Sequence, residues 1–338
     1  MSATVILDLS AEKRFPSVQK RASRDNRSSA VPESLRSPGG RSVLALHDEV
    51  LVDADGTHVG RRLGPIWTFM DSPNDFYEGK YNNRMRYIPR SDGWIATLPL
   101  RIVMQSYPNI VAAEVPKGAT VVEIGCAGGV AWFGQRYRMI GMDLSQEALR
   151  LAADYYDTLL QCDATRMPLA DASVDAVISS CLFEHLTDHQ KQALLNEAAR
   201  VLKPAGKVVF LYDLWTDNPV IAGYRKADPD RYQRMFLDHD GHLGYQGVDE
   251  NRAHFRSAGL RITREIFHER TPIQSNSVWK KFSEWPGLRG QLGRVGAVLT
   301  SGPLRLPSLA LLSLVDGTLG RLFPQRFARG MITVASKP

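Results

Sequence analysis

The sequence predicts an α/β protein with a Rossmann-like, doubly wound, mostly parallel seven-stranded sheet, an N-terminal extension and two insertions. From residue 111 onward, short apolar runs alternate with segments of helical spacing, which is typical of a parallel sheet covered by helices. One apolar run, residues 119–124, leads directly into Gly-Cys-Ala-Gly-Gly, a glycine-rich turn. Acidic residues then recur near the ends of successive strands, where open α/β sheets bind their ligands.

Charge and cysteine content limit the class of protein. The 338 residues carry a net charge of +6, of which residues 1–42 contribute +4. The remainder is close to neutral, so we expect no nucleic-acid partner. Residues 1–42 are rich in Ser, Arg and Pro without apolar periodicity, so we expect a disordered basic tail. The three cysteines all lie in the predicted core and form no disulfide framework, which favours a cytoplasmic protein.

Residues 43–110 are expected to form a small N-terminal module before the core, residues 111–338. Its signals are a turn over residues 53–56 and an aromatic run over residues 76–81. The aromatic run either caps a ligand or packs onto the core. The module contains no cysteine, so we expect no zinc there.

Three carboxylates define the predicted ligand site. Glu123 precedes the glycine-rich turn, and Asp143 and Asp163 follow at intervals of twenty residues. An acid at the end of the second strand binds ribose hydroxyls in dinucleotide folds. The third glycine of the dinucleotide fingerprint falls on Val130, and three acids would repel a pyrophosphate. The pattern instead suits a nucleoside that carries positive charge, such as S-adenosylmethionine, and we expect no binding of NAD.

The ordered motifs resemble those of a known family. Segments 123–129, 141–145, 162–177, 184–186 and 200–206 occur in the order and at the spacing of class I S-adenosylmethionine-dependent methyltransferases, the group that includes ubiquinone/menaquinone-type and small-molecule enzymes. The resemblance covers roughly residues 111–214 and a closing strand over 330–338. Two alanines depart from the pattern, because Ala127 and Ala205 stand where the family has glycine.

This resemblance implies a role for each cofactor-site residue. Backbone atoms of the turn would approach the methionine and ribose portion, Glu123 would favour its cationic end, and Asp143 would accept from both ribose hydroxyls. Leu144 would cover one adenine face, Asp163 would accept from the adenine amino group, and the Ala164 amide would donate to the ring. The full predicted set is Glu123, Gly125, Ala127, Gly129, Asp143, Leu144, Asp163 and Ala164.

The predicted reaction is O-methylation of a hydroxyl on a small molecule or a sugar or glycan-linked acceptor. A base would remove the hydroxyl proton, and imidazole titrates near neutrality. His185 ranks first, followed by His242 and His239 in the segment 238–245. Packing or helix capping is the alternative role of His185, and we expect no metal site. Two further functions stay open, C-methylation of a quinone or lipid-like acceptor and a catalytically silent module that binds the cofactor.

Two insertions interrupt the predicted core, near residues 214–247 and 273–329. Apolar runs between residues 295 and 322 are broken by Gly, Pro and Asp and fall short of the ~20 apolar residues of a membrane span. Arginines flank these runs. The segment therefore forms a helical cover over the site, a homodimer interface or a peripheral contact with a membrane surface.

Overall fold

The computed structural model describes residues 31–40, 42–71, 78 and 106–338. The predicted tail over residues 1–30, and the predicted aromatic run 76–81 apart from residue 78, lie outside the described residues.

The strands of the described chain join one sheet. They are β1 Ala45–His47, β2 Val50–Val52, β3 His58–Leu63, β4 Ile66–Thr68, β5 Thr120–Ile124, β6 Arg138–Asp143, β7 Thr158–Gln161, β8 Val174–Ser180, β9 Leu202–Asp213, β10 Arg261–His268 and β11 Gly330–Ser336.

The α-helices of the same residues are α1 Ser106–Glu114, α2 Ala131–Arg136, α3 Gln146–Ala152, α4 Asp188–Val201, α5 Pro219–Ala227, α6 Pro229–Tyr232, α7 Val248–Ser257, α8 Asn276–Phe282, α9 Gly287–Leu299 and α10 Arg305–Thr318. A π-helical turn spans Gln233–Asp238. Short 3₁₀ turns span Ala164–Arg166, Phe183–His185, Gly302–Leu304, Leu319–Leu322 and Gln325–Phe327.

The strand order is β1-β2-β3-β4-β7-β6-β5-β8-β9-β11-β10. Every neighbouring pair from β4 to β9 is parallel, and β11 runs antiparallel between β9 and β10. The predicted doubly wound, mostly parallel fold is confirmed, and its seven core strands are β5 to β11. The antiparallel strands β1 to β3, together with β4, extend the sheet at the β7 edge.

Side chains alternate between the two faces of the sheet along each strand, and apolar side chains on both faces explain why helices cover both. Val121 and Val122 are fully buried and belong to different hydrophobic clusters, one on each face of the sheet. Phe133 of α2 packs in the cluster of Val121, and Leu194 of α4 packs in the cluster of Val122. Parallel strands buried on both faces leave their carboxyl ends as the place for a ligand.

The longest helix of the core begins where the sequence predicts. The Thr187 hydroxyl accepts from the amide of Gln190, and the Gln190 side chain accepts from the amide of Thr187. This capping box satisfies backbone donors that the first turn of α4 would leave unpaired. It also fixes the end of the short segment that carries Glu184 and His185.

The expectation of a disordered tail through residue 42 is wrong for its described part. Leu35 is fully buried and forms a bridge with Leu169, and the amide of Arg36 donates to the carbonyl of Pro168 at 3.1 Å. A single leucine among polar neighbours has no periodicity, so sequence patterns cannot reveal that it packs on the core.

The two insertions pack against each other. An aromatic cluster joins Tyr224, Tyr232 and Phe236 of the first insertion to Phe282 and Trp285 of the second. The outward side of the second insertion is different, because α9, α10 and the turns beside them expose many large apolar side chains. Within the described residues, no helix combines the length and apolar character needed to cross a membrane.

Candidate active site

The predicted acidic residues lie at the ends of three neighbouring parallel strands. Glu123 is buried within β5, Asp143 is the last residue of β6, and Asp163 lies two residues beyond β7. The register pairs Glu123 with Gly141 and Asp143 with Gln161. The structure therefore brings the three carboxylates to one edge of the sheet, around the glycine-rich turn.

The glycine-rich turn needs unusual backbone conformations. Gly125 and Gly129 have φ angles of +64° and +75°, and Ala127 has a φ of +45°. A Cβ atom on Gly129 would lie only 3.2 Å from the Cβ of Ala152 and 3.3 Å from the Tyr156 ring. Both space and conformation therefore require glycine at position 129. Ala127 adopts the left-handed conformation with a side chain, which is the strained departure from the family pattern.

Asp143 holds the turn in place. One carboxylate oxygen accepts from the amide of Ala127 at 2.9 Å, and the other accepts from the amide of Ser145 at 3.0 Å. Burial raises the pKa of Asp143, and the backbone donors oppose that rise. The carbonyl of the next residue, Leu144, accepts from the side-chain amide of Gln161 at 3.1 Å. The carboxylate predicted to bind ribose thus also joins the turn to the end of β6.

A tyrosine that sequence reasoning missed contacts Glu123. The Tyr156 hydroxyl donates to the Glu123 carboxylate and accepts from the amide of Val130 at 2.9 Å. Burial raises the pKa of Glu123 to about 8, the Tyr156 hydrogen bond opposes the rise, and Asp143 adds to it. Tyr156 is therefore a positioning residue that joins Glu123 to the amino end of α2.

Asp163 is the most exposed of the three acids. Its Oδ1 accepts from the amide and the hydroxyl of Thr165, both at 2.8 Å, and caps the turn that begins at Ala164. Capping alone would explain an aspartate here. The cap uses one carboxylate oxygen, and the predicted contact with an adenine amino group would use the other.

Two predicted histidines meet at the end of β8. His185 and His242 are buried, and their ring centroids lie 5.0 Å apart. His185 Nδ1 donates to the carbonyl of Gly241 at 3.0 Å, which fixes its neutral tautomer. His242 stacks on Tyr245, and neither of its ring nitrogens has a hydrogen-bond partner among the described residues. Burial lowers the pKa of both histidines, that of His242 to about 4.

The third predicted histidine lies elsewhere. The His239 side chain is 77% exposed, and its Nδ1 lies 3.0 Å from a carboxylate oxygen of Asp240. Asp240 is itself paired with Lys281 from the second insertion. This exposed position counts against the predicted role of His239 as a base.

Glu184 was not among the predicted site residues, yet it adjoins both buried histidines. Its carboxylate is fully buried, and neither oxygen has a hydrogen-bond partner among the described residues. Donor atoms of Glu184, His185 and His242 all lie within 4.8 Å of one another. The Glu-His-Leu motif of the family identified His185 as a candidate. No sequence pattern predicted that His242, which lies in a separate segment, would lie beside Glu184 and His185.

A buried ion network lies beside this cluster. Arg329 donates to Asp213 at 3.0 Å and to Glu269 at 2.6 and 2.8 Å. All three side chains are buried, so removal of the arginine would leave two carboxylates unpaired. The network joins the end of β9 to the beginning of β11 and holds the edge of the sheet where the insertions meet.

Two further side chains near the crevice were missed. Tyr107 of α1 has a buried hydroxyl without a hydrogen-bond partner among the described residues, and burial together with the charge of Glu123 raises its pKa. Glu78 accepts from the amides of Gln146 and Glu147 at 3.0 and 2.8 Å. The predicted aromatic run therefore includes one residue that caps the helix after Asp143.

Comparisons with known proteins match this core. Residues 122–210 match the family model of the methyltransferase domain. The tRNA (carboxymethyluridine(34)-5-O)-methyltransferase of Macaca fascicularis is 32% identical over 107 residues, which cover 30% of this chain and 16% of that protein. The ubiquinone/menaquinone biosynthesis C-methyltransferase of Syntrophotalea carbinolica is 34% identical over 119 residues, covering 33% of this chain and 48% of that protein.

Among solved structures, geranyl diphosphate C-methyltransferase from Streptomyces coelicolor is similar at a TM-score of 0.46 and 14% identity, covering 73% of this chain and 85% of that one. The chain spans less than half of the length of these two curated relatives. The segment that the family model matches, residues 122–210, carries the three acids and the glycine-rich turn. Residues 122–210 of this chain are thus similar in sequence to a methyltransferase domain.

Proposed function

We propose that the protein is a methyltransferase that binds S-adenosylmethionine across the carboxyl ends of β5, β6 and β7. The observation that carries this proposal is the set of three carboxylates around the glycine-rich turn. Within the described residues, none of Glu123, Asp143 and Asp163 forms an ion pair with Lys or Arg. An acidic edge that forms no such ion pair among the described residues suits a ligand that carries positive charge.

The cofactor, when bound, supplies an activated methyl group on a sulfonium. Asp143 would accept from the ribose hydroxyls, Asp163 from the adenine amino group, and Glu123 would lie at the cationic methionine end. The close packing of Gly129 against Ala152 keeps the turn free of side-chain bulk. Orientation of two reactants can supply about 7–11 kcal/mol of barrier reduction, so positioning is the main task of these residues.

The acceptor that we propose is a hydroxyl on a small molecule or a sugar or glycan-linked compound. Support comes from His185 and His242, two buried imidazoles that are neutral at neutral pH and lie at the end of the next strand, β8. A neutral imidazole can receive the proton that a hydroxyl loses on methylation. His185 ranks first because its Gly241 contact fixes the ring.

Two other acceptors have specific support. The relative from Syntrophotalea carbinolica is named a C-methyltransferase of ubiquinone/menaquinone biosynthesis, which keeps C-methylation of a quinone or lipid-like acceptor as the alternative. The relative from Macaca fascicularis is named a tRNA methyltransferase. The near-neutral charge outside residues 1–42 favours a small molecule over RNA.

Transfer of an isotope-labelled methyl group to a panel of acceptors tests this function. The panel contains sugars and glycolipids with free hydroxyls, quinols and unmodified tRNA. We expect labelled methyl ethers from the hydroxyl compounds. A labelled methyl group on a quinol carbon or on tRNA would show that the acceptor is a quinol or tRNA instead of a hydroxyl compound. Cofactor binding without methyl transfer to any acceptor of the panel would support a catalytically silent module that binds the cofactor.

Glu123 makes cofactor binding depend on pH. A bound cation would favour the ionised carboxylate, and the pKa of Glu123 is raised to about 8 in the free protein. Binding therefore requires loss of a proton below pH 8. We expect affinity for S-adenosylmethionine to rise between pH 6 and pH 7.5, by at most about tenfold per pH unit. Glu123→Gln is the matched control, because it keeps the shape and removes the titration.

Calorimetry over this pH range measures the effect. Titration of the ligand's own groups affects both proteins equally, so the comparison isolates Glu123. Parallel pH profiles for wild type and Glu123→Gln would show that Glu123 does not respond to the cofactor.

The second insertion supports a peripheral membrane contact rather than a homodimer interface. Ten of the fourteen exposed large apolar side chains among the described residues lie between residues 288 and 322. Leu288, Leu292, Val295 and Leu299 follow each other at helical spacing on α9 and form one exposed face. Residues 287–327 contain five arginines and one acid, Asp316, which accepts from two backbone amides. An apolar face with excess positive charge fits an anionic lipid surface.

Vesicle flotation tests this contact. We expect binding to vesicles of phosphatidylcholine with phosphatidylglycerol, weaker binding at high salt, and loss of binding in Leu292→Ser/Leu299→Ser. Leu243→Ser removes an exposed leucine outside this face and should bind like wild type. A dimer in light scattering that the double variant abolishes, without any vesicle binding, would assign the face to a second copy.

A further inference from the structure

We propose that Glu184, His185 and His242 form a binding site for a divalent transition-metal ion at the end of β8. The sequence alone predicts no metal, because Glu184 and His242 are 58 positions apart and lie in different segments. In the structure, one donor atom from each of the three residues lies within 4.8 Å of the other two. Metal–ligand distances of ~2.0–2.2 Å place two donors at most about 4.4 Å apart, so small side-chain rotations would close the site.

Two side chains of the cluster have buried polar atoms without hydrogen-bond partners among the described residues, as expected of a binding site without its ligand. The carboxylate of Glu184 is fully buried, and both of its oxygens are without a hydrogen-bond partner in the described chain. Both ring nitrogens of the buried His242 are equally unpartnered there. Buried polar groups in folded proteins are almost always satisfied by a partner, so two such groups facing one another indicate a missing one. A cation satisfies a carboxylate and an imidazole together.

Among the described residues, the nearby cations form their hydrogen bonds and ion pairs with groups other than the Glu184 carboxylate, although the charge of Lys191 acts on it. Lys191 donates to the side chains of Gln246 and Asn251, both at 2.9 Å. Lys281 pairs with Asp240. Arg329 is held by Asp213 and Glu269. In this proposal, the bound ion supplies the direct cationic contact that the Glu184 carboxylate does not have among the described residues.

The surroundings of the cluster resemble those of metal ligands. His185 Nδ1 donates to the backbone carbonyl of Gly241, and this contact orients the ring so that Nε2 is the nitrogen for a metal. The segment that carries His242 is pinned by the amide of Gly244, which donates to the carbonyl of Glu184 at 3.1 Å. A Cβ atom on Gly244 would lie 1.8 Å from the carbonyl oxygen of Leu186, so glycine is required for this close approach. The three donors are therefore held by backbone contacts on both sides.

The donor set indicates the class of ion. Two imidazoles and one carboxylate suit first-row divalent ions such as Zn²⁺, Fe²⁺, Co²⁺ and Mn²⁺ rather than Ca²⁺, which prefers six or more oxygen ligands. Three protein ligands leave at least one coordination position open. His185 and His242 each keep 8% of their surface accessible, so the cluster is not sealed. With the ion bound, His185 Nε2 would be a metal ligand and no longer a base, and the open position would hold the acceptor's oxygen and favour its ionised form. That role rests on the proposed methyltransferase function, whereas binding of the ion does not.

Metal titration of the full-length protein tests the inference. After treatment with a chelator, the protein is titrated with Co²⁺ and followed by visible absorption, and with Zn²⁺ by calorimetry. We expect one ion per chain in the wild type. Glu184→Gln and His242→Ala should weaken binding by at least ~10–100-fold, the loss that removal of even an outer partner causes. His239→Ala is the matched control, because His239 is an exposed histidine beside a carboxylate, and it should bind like wild type.

Cofactor binding separates the possible outcomes. Glu184→Gln is nearly isosteric, and unchanged affinity for S-adenosylmethionine would show that this variant is folded. Absence of a one-to-one site in the wild type, or loss of the ion in His239→Ala but not in Glu184→Gln, overturns the metal inference and leaves the proposed function intact. Metal binding without affinity for S-adenosylmethionine would instead overturn the proposed function alone.

Discussion

Asp143→Asn is expected to abolish measurable binding of S-adenosylmethionine while the protein stays folded. The aspartate would accept two ribose hydroxyl hydrogen bonds, and hydrogen bonds to a charged group contribute about 1.5–3 kcal/mol each. Loss of both corresponds to a fall in affinity of roughly 100-fold or more. The substitution also weakens the acceptor for the amides of Ala127 and Ser145, so the glycine-rich turn loses part of its anchor.

Isothermal titration of each variant measures this loss. Asp171→Asn is the matched control, because Asp171 is a mostly exposed acid of the same core that pairs with Arg200. The control should keep the affinity of the wild type, and both variants should unfold at nearly the same temperature. Equal affinity of Asp143→Asn and the wild type for S-adenosylmethionine would show that Asp143 does not bind the ribose.

His185→Gln is expected to lower turnover by ~10²–10⁴-fold, the usual contribution of a positioned base. His185 follows β8, the strand next to β5 in the sheet, and its ring is held by Gly241. His242→Gln should lower turnover too, because the two rings are 5.0 Å apart in one cluster. Affinity for S-adenosylmethionine should stay near that of the wild type, since neither ring belongs to the proposed cofactor site.

Single-turnover methyl transfer to an acceptor from the panel measures these rates. His239→Gln serves as the matched control and should keep the wild-type rate, because its side chain lies in solvent. Near-full rates in both His185→Gln and His242→Gln would mean that the protein catalyses transfer only by aligning the acceptor with the methyl group, without a histidine base. C-methylation, or an acceptor that is already ionised, would then replace hydroxyl methylation.

The placement of the three carboxylates at one edge of the sheet could be predicted, because these residues lie in ordered, local segments. Glu123, Asp143 and Asp163 each lie at or just beyond the end of a strand, and the sheet brings parallel strand ends together without further information. The contact between Tyr156 and Glu123 could not be predicted, because it joins positions 33 apart through the packing of α3 and its following turn. A tyrosine in that position has no pattern that distinguishes it from an ordinary core residue.

The cluster of Glu184, His185 and His242 was only half predictable. The sequence identified His185 and His242 as separate candidates, but their meeting with Glu184 depends on the first insertion folding back over β8. That return is fixed by contacts such as Gly244 against Leu186, which no periodicity reveals. Likewise, a helical cover was one interpretation of the apolar runs in the second insertion, whereas the exposed outward face of this insertion depends on which side packs against the aromatic cluster around Phe282.

Calorimetric titration of the intact protein shows whether this edge of the sheet binds S-adenosylmethionine. S-Adenosylmethionine and NAD are compared under the same conditions, since both contain adenosine and differ in charge. We expect one bound S-adenosylmethionine per chain and no detectable heat from NAD, because three carboxylates favour a cation and oppose a pyrophosphate. Binding of NAD in preference to S-adenosylmethionine, or of neither, would contradict this expectation.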